Sequence, residues 1–189
     1  MSSILVDHPD DWIGIPEEWP NSRWETPYQW ASELTDALSE DWSLLPDGGT
    51  APFRDLMVSI ANSLDPTAAS RLYVSVDGWA GPIFIAAMAV LPTARTAGST
   101  AAEVAGADDV DTIEAPIVGE FTTTAGVAGA SCVRYFLRDE PDRVVARADF
   151  VVQLGDRFVD FFHENGDLVD FERALPRLRE LAATASVGA

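Results

Sequence analysis

Covalent catalysis needs a nucleophile whose proton a nearby base can take, and few residues of this 189-residue chain meet that condition. Cys132 is the lone cysteine. Ser131 precedes it without a G-x-S-x-G context or a strand-to-helix elbow. The two histidines, His8 and His163, stand near opposite ends of the chain. In the run Asp160-Phe161-Phe162-His163-Glu164, strand alternation sends Asp160 and His163 to opposite faces, so the two do not converge on a metal. Motifs of the H-E-x-x-H or C-x-x-C type are absent, and Asp108-Asp109-x-Asp111 lacks the glycine and distal Glu of a calcium loop. GWAGP and TAGVAGAS are not phosphate-binding loops, and a chain without lysine has neither the usual P-loop cation nor a Schiff-base amine. No catalytic residue, metal ligand or cofactor is expected, and carboxylates this abundant carry no weight by number alone.

Two groups of residues can do recognition instead. Arg134 and Arg138 share a face of one predicted strand, and Arg147 lies on the polar face of its predicted neighbour. Such a patch either binds an anion, a carboxylate above all, or is neutralised across the strands by Asp149 and nearby acids. The second group is the N-terminal set Trp12, Trp19, Trp24, Glu17 and Glu18, read as partner-binding. Prolines follow Ile15 and Trp19, so residues 1–26 are expected as an extended arm rich in Trp, Pro and acids. The arm either packs over its own core or docks a partner, since Trp is favoured at interface anchors.

The charge balance narrows the partner. Against 31 Asp and Glu stand 12 basic residues, all Arg, giving a formal net charge of −19 and a pI near 4.1. Residues 1–50 hold eleven of the acids and one Arg, with five of the six tryptophans. Nucleic acid and anionic membrane surfaces are disfavoured, because affinity for phosphates comes from cations that displace counterions. No secretory leader is visible, and the apolar run from Pro82 to Pro92 is about half the length of a membrane helix. A lone cysteine forms no internal disulfide, which assigns the chain to a reducing cytoplasm.

The elements that must position these residues follow from periodicity. Length and composition fit one domain spanning 1–189. Thr26-Pro27-Tyr28-Gln29 carries capping-box spacing before a helix reaching about Glu40, and Thr50 with Pro52 opens a second helix with an apolar face through Leu64. RLYVSVD and PIFIAAMAVLP read as two strands, the second apolar on both faces and therefore central. Thr100 and Glu103 box a short helix near 99–106. Strands are expected at roughly 112–124, 130–138, 143–154 and 157–163, the third of these half-buried and the last three a meander. A closing helix covers about 168–184, with Pro176 forcing a kink or a later start. The fold class is α+β: a mainly antiparallel sheet covered by helices, an α/β/α-type sandwich.

On PIFIAAMAVLP, VVQLGDRFVDFFHENGD and FERALPRLRELAATAS, the part from about Phe53 to Val187 resembles small actinobacterial proteins with a PsbP-like α/β/α sandwich. The resemblance is one of pattern and transfers no functional residue. It implies binding and accessory roles more than catalysis, and the lipid anchor of several members does not carry over, because no lipobox cysteine stands near the start. The leading expectation is a non-enzymatic protein-binding or accessory factor of the inhibitor, immunity or secretion-related kind, recognising a basic partner. The alternative is a small-ligand binder or enzyme with a pocket between sheet and helices, lined by Phe158, Phe162, Tyr135 and Trp79.

Overall fold

The computed structural model describes residues 3–41, 49–65, 69–77, 81–92, 96, 98–138 and 143–188. Trp79 and the expected turns around Gly78 and Pro141 lie outside them.

Alternation of apolar residues from Arg71 onward builds most of one sheet. In chain order the elements are β1 (Ile4–Val6), β2 (Trp12–Gly14), α1 (Pro27–Asp41), α2 (Ala51–Ala61), β3 (Arg71–Val76), β4 (Ile83–Pro92), α3 (Ala101–Val104), β5 (Ile117–Thr122), β6 (Ala128–Arg138), β7 (Arg143–Leu154), β8 (Arg157–Asn165), α4 (Leu168–Ala183) and β9 (Ala185–Val187). Seven strands pair antiparallel in the order β2-β3-β4-β8-β7-β6-β5, and β1 pairs with β9 apart from them. Strands β5 to β8 form a meander, in which Gly155 (φ 64) supplies the left-handed turn between β7 and β8. The α+β sandwich is therefore as expected, with four helices packed on the sheet among the described residues.

The register assigns every side chain to a face. One face carries Tyr73, Phe84, Ala86, Met88, Phe161, Ala148, Phe150 and Val152, covered by Phe171, Ala174, Leu178 and Leu181 of α4. The other face has two separate covers. Trp30, Phe53, Met57 and Ile60 of α1 and α2 pack on Leu72 and Val74, while Ala105 after α3 packs on Cys132, Val151 and Phe158. Between the covers, β4 is open: Ile85 stays 37% exposed, although its strand is apolar on both faces. Centrality in the sheet did not bring full burial, because no helix lies over that stretch.

Local signals decide the helix ends. Thr26 Oγ1 accepts from the Gln29 amide at 3.2 Å, but Gln29 Oε1 accepts from Glu25 N, one residue short of a closed box. Thr50 makes no side-chain cap bond, and α2 stops at Ala61. Thr100 and Glu103 close a full capping box. α4 starts at Leu168 despite Pro176, because Asp167 Oδ1 accepts from the amides of Val169 and Asp170 and fixes the first turn.

Two strand expectations are corrected. β5 is shorter than 112–124; Ile113 N still donates to Tyr135 O at 2.8 Å, but the regular ladder begins at Ile117. β7 is buried on both faces, since Asp149 (1%) and Val151 (0%) lie on its supposedly solvated side. Asp149 there faces arginine partners, while Arg147 stays partly exposed and Gln153 exposed.

Candidate functional site

Edge strand β2 anchors the N-terminal group. It pairs with β3 through Trp12↔Ser75 and Ile13↔Val74, so Trp12 enters the α4-side core and Ile13 turns to α1 and α2. Trp12 is 2% exposed, too deep to anchor a partner. Trp19 packs against Trp30 with ring centroids 6.2 Å apart. Trp24, half-buried, is aimed by a turn in which Asn21 Oδ1 accepts from the amides of Arg23 and Trp24, each at 2.9 Å. Its Nε1 donates to Glu33 Oε2 at 2.9 Å.

The Arg23 guanidinium lies 4.5 Å over the Trp24 ring and donates to the same Glu33 oxygen at 3.3 Å. Glu17 pairs with Arg71, and Glu18 is exposed. Two adjoining hollows result, of about 610 Å³ beside Glu17, Glu18 and Trp24 and about 340 Å³ beside Trp24, Trp30 and Glu33. They share Arg23 and Trp24 and form one acidic, aromatic groove along β2.

The three arginines converge on a different place. Arg134 and Arg147 are direct partners across β6 and β7, and both point to the face between the two helical covers. With Arg138 they line an open pocket of about 410 Å³ whose other polar walls are Asp149, Asp160 and Glu164. Asp149 Oδ1 accepts from Arg147 Nη2 at 2.6 Å and Nε at 2.9 Å, and its Oδ2 accepts from Arg134 Nη2 at 2.6 Å. Arg134 Nη1 also donates to Asp109 Oδ2 at 2.9 Å, and Arg138 Nη2 to Glu164 Oε1 at 2.6 Å. Arg147 stacks 4.2 Å over Phe162. Cross-strand pairing with Asp149 and an accessible pocket thus coexist.

Asp160 is the unusual member. It is 6% exposed, its Oδ1 has no hydrogen-bond partner among the described residues, and Arg147 Nη2 stays 3.8 Å from its Oδ2. Burial, and then the neighbouring Asp149 charge, push its carboxyl well above the usual carboxylate range. Sequence reading missed Asp160, Glu164 and Asp109. The available signal was the alternation Asp160, Phe162, Glu164, whose register sets Glu164 opposite Arg147 and Asp160 opposite Val151.

The remaining candidates do no chemistry together. Phe158 and Phe162 share the pocket face, but Tyr135 lies on the α4 face against Phe171, so the expected aromatic lining does not form one cavity. Cys132 is fully buried beside Val151 and Phe158, and burial pushes its thiol up, away from reactivity. Ser131 stands opposite Phe150 on the other face. His8 lies edge-on to Tyr73. His163 meets Ile85 O through Nδ1 at 2.7 Å and stacks on Phe171; burial lowers its pKa. Among the described residues no three His, Cys, Asp or Glu are grouped to hold a metal.

Gly106 follows α3 at φ 92, and a Cβ there would overlap the Arg134 guanidinium. Gly106→Ala is expected to cost about 1–2 kcal/mol for the left-handed backbone alone, with more from the displaced Arg134–Asp109 pair. A thermal melt with no loss of stability contradicts that assignment.

The fold is that of an α+β sandwich with a seven-stranded antiparallel sheet. No family model matches the chain, and no curated protein is similar to it. Among solved structures it is similar to LpqN of Mycobacterium tuberculosis, described as involved in cell envelope biogenesis, with 10% identity and a TM-score of 0.48 over 100% of this chain and 85% of that one. The match says nothing of a PsbP-like kinship. The cytoplasmic expectation is set aside: it rested on the lone cysteine, and a thiol buried under α3 does not report the redox state outside it, while the similar structure is described as involved in cell envelope biogenesis. No described helix is long and apolar enough to cross a membrane.

Proposed function

We propose that the chain is a non-enzymatic recognition protein that takes an arginine-bearing basic segment of another protein in the groove along β2. The observation that carries the reading is Arg23, a guanidinium already seated on Trp24 and paired with Glu33. A partner arginine finds the same ring face and the same carboxylate there, with Glu17 and Glu18 along the approach. The net charge of −19 steers a cationic surface toward the chain, an effect that salt weakens.

A fluorescent hexa-arginine peptide tests this by anisotropy. Trp24→Ala and Glu33→Gln should each weaken binding by about 0.5–1 kcal/mol, a two- to fivefold loss. Arg23→Ala should tighten it by vacating the seat, whereas Arg173→Ala, the same charge change on exposed α4, should not. An unchanged affinity in Trp24→Ala together with equal affinities in Arg23→Ala and Arg173→Ala would mean that the peptide senses only net charge, and the groove would lose its role.

A further inference from the structure

We propose that the pocket between the two helical covers, walled by Arg138, Arg147 and Asp160, is a second binding site and that it takes a small carboxylate. The pocket exists because α1 and α2 cover only the β3 side of that face and α3 only the β6–β7 side. Its floor is a hydrogen-bonded cluster that fixes each charged group in place, with Asp149 gripped by Arg134 and Arg147. Into that floor projects a carboxyl group that is nine-tenths buried and keeps one oxygen without a partner.

The charge of the walls selects the occupant. Burial and the adjoining Asp149 charge and hydrogen bond push the Asp160 carboxyl well above the usual carboxylate range, and in its protonated form it adds no negative charge to the walls. With Asp160 neutral, Arg134, Arg138 and Arg147 face only Asp149 and Glu164 within the walls, and Asp109 lies behind Arg134. An amine would meet three guanidiniums; a carboxylate meets guanidinium donors on Arg138 and Arg147, in the planar geometry that guanidinium favours. Phe136 and Val104 supply apolar surface for the rest of a small molecule.

The groups that face Asp160 are Asp149 and Arg147 on β7, Arg134 and Cys132 on β6, Glu164 on its own strand and Asp109 after α3. Its neighbour on β4 is the uncharged Ala89. A bound anion favours the protonated acid, so affinity falls as pH rises and Asp160 loses its proton.

Benzoate is the probe, with benzamide and benzylamine as neutral and cationic counterparts, followed by amide chemical shifts and calorimetry on the whole chain. Benzoate should saturate a single site, shift the amides of Arg138, Arg147 and Asp160, and outbind both counterparts. Arg138→Gln, at a mostly exposed side chain, should weaken it about tenfold without loss of fold. Asp160→Asn keeps a donor but no titratable proton: it should retain binding and abolish the fall with pH. Tighter binding of benzylamine, an unchanged affinity in Arg138→Gln, a pH dependence that survives in Asp160→Asn, or the lack of any saturable shift would each overturn the proposal. The groove along β2 shares none of these residues, so this outcome is independent of the hexa-arginine result.

Discussion

Replacing Asp149 by Ala is expected to remove about 3–5 kcal/mol of stability, the cost of leaving buried partners of an ion pair uncompensated. Asp149 is 1% exposed and accepts from both Arg134 and Arg147, whose side chains are only 12% and 27% exposed. Arg134 keeps Asp109, but Arg147 keeps only the longer approach to Asp160. The variant should therefore recruit Asp160 as a replacement anion, since replacing Asp149 removes its charge and its hydrogen bond, two of the three causes that raise the Asp160 pKa, and leaves only burial.

That recruitment has a pH signature. A carboxyl whose pKa is raised by folding stabilises the native state fully below its unfolded pKa, about 3.9, and this contribution is lost as pH rises through the folded value. In the wild-type chain, urea midpoints should fall over that window on account of Asp160; in Asp149→Ala the fall should end at lower pH. A loss below about 1 kcal/mol, the scale of a solvated surface pair, would show that the cluster is far wetter than its geometry.

Phe171→Ala is expected to cost about as much, about 3–5 kcal/mol for a fully buried aromatic. Phe171 is 0% exposed on the inner face of α4, stacks on His163 with centroids 5.9 Å apart and meets Tyr135 edge-on. Truncation opens a void above the sheet and lets water reach His163 Nε2, which has no hydrogen-bond partner among the described residues. Burial is the main cause of the lowered His163 pKa, so its ring protons should titrate closer to the ordinary value of about 6.5. Val169→Ala on the same helix, at a 63% exposed position, should stay within about 0.5 kcal/mol. Similar losses for the two substitutions would contradict the placement of α4.

Periodicity in the sequence sufficed for the helices, the hairpin and the meander, because apolar spacing follows directly from which face meets a core. It failed where charge was used inside. Arg147 and Asp149 in β7 read as a solvated face; only the register of β6, β7 and β8 brings Arg134 opposite Arg147 and turns those charges inward on one another. Arg134, Arg138 and Arg147 were legible as a patch from strand parity. Asp160 was not, since a single acid among aromatics reads the same whether it faces water or a guanidinium. For Trp12 the proline-rich flanks left two readings open, an arm packed over its own core or a docking strip, and a three-residue edge strand carries it into the core.

The helix hairpin α1–α2 and the short helix α3 rest on different strands of one sheet face, with open floor between them. Among the described residues the two covers belong to separate core clusters, so sequence drift in one needs no compensating drift in its counterpart, and damage to the two should combine additively. What sits on either side of the hollow can thus be reshaped piecemeal, while the polar floor beneath stays as it is.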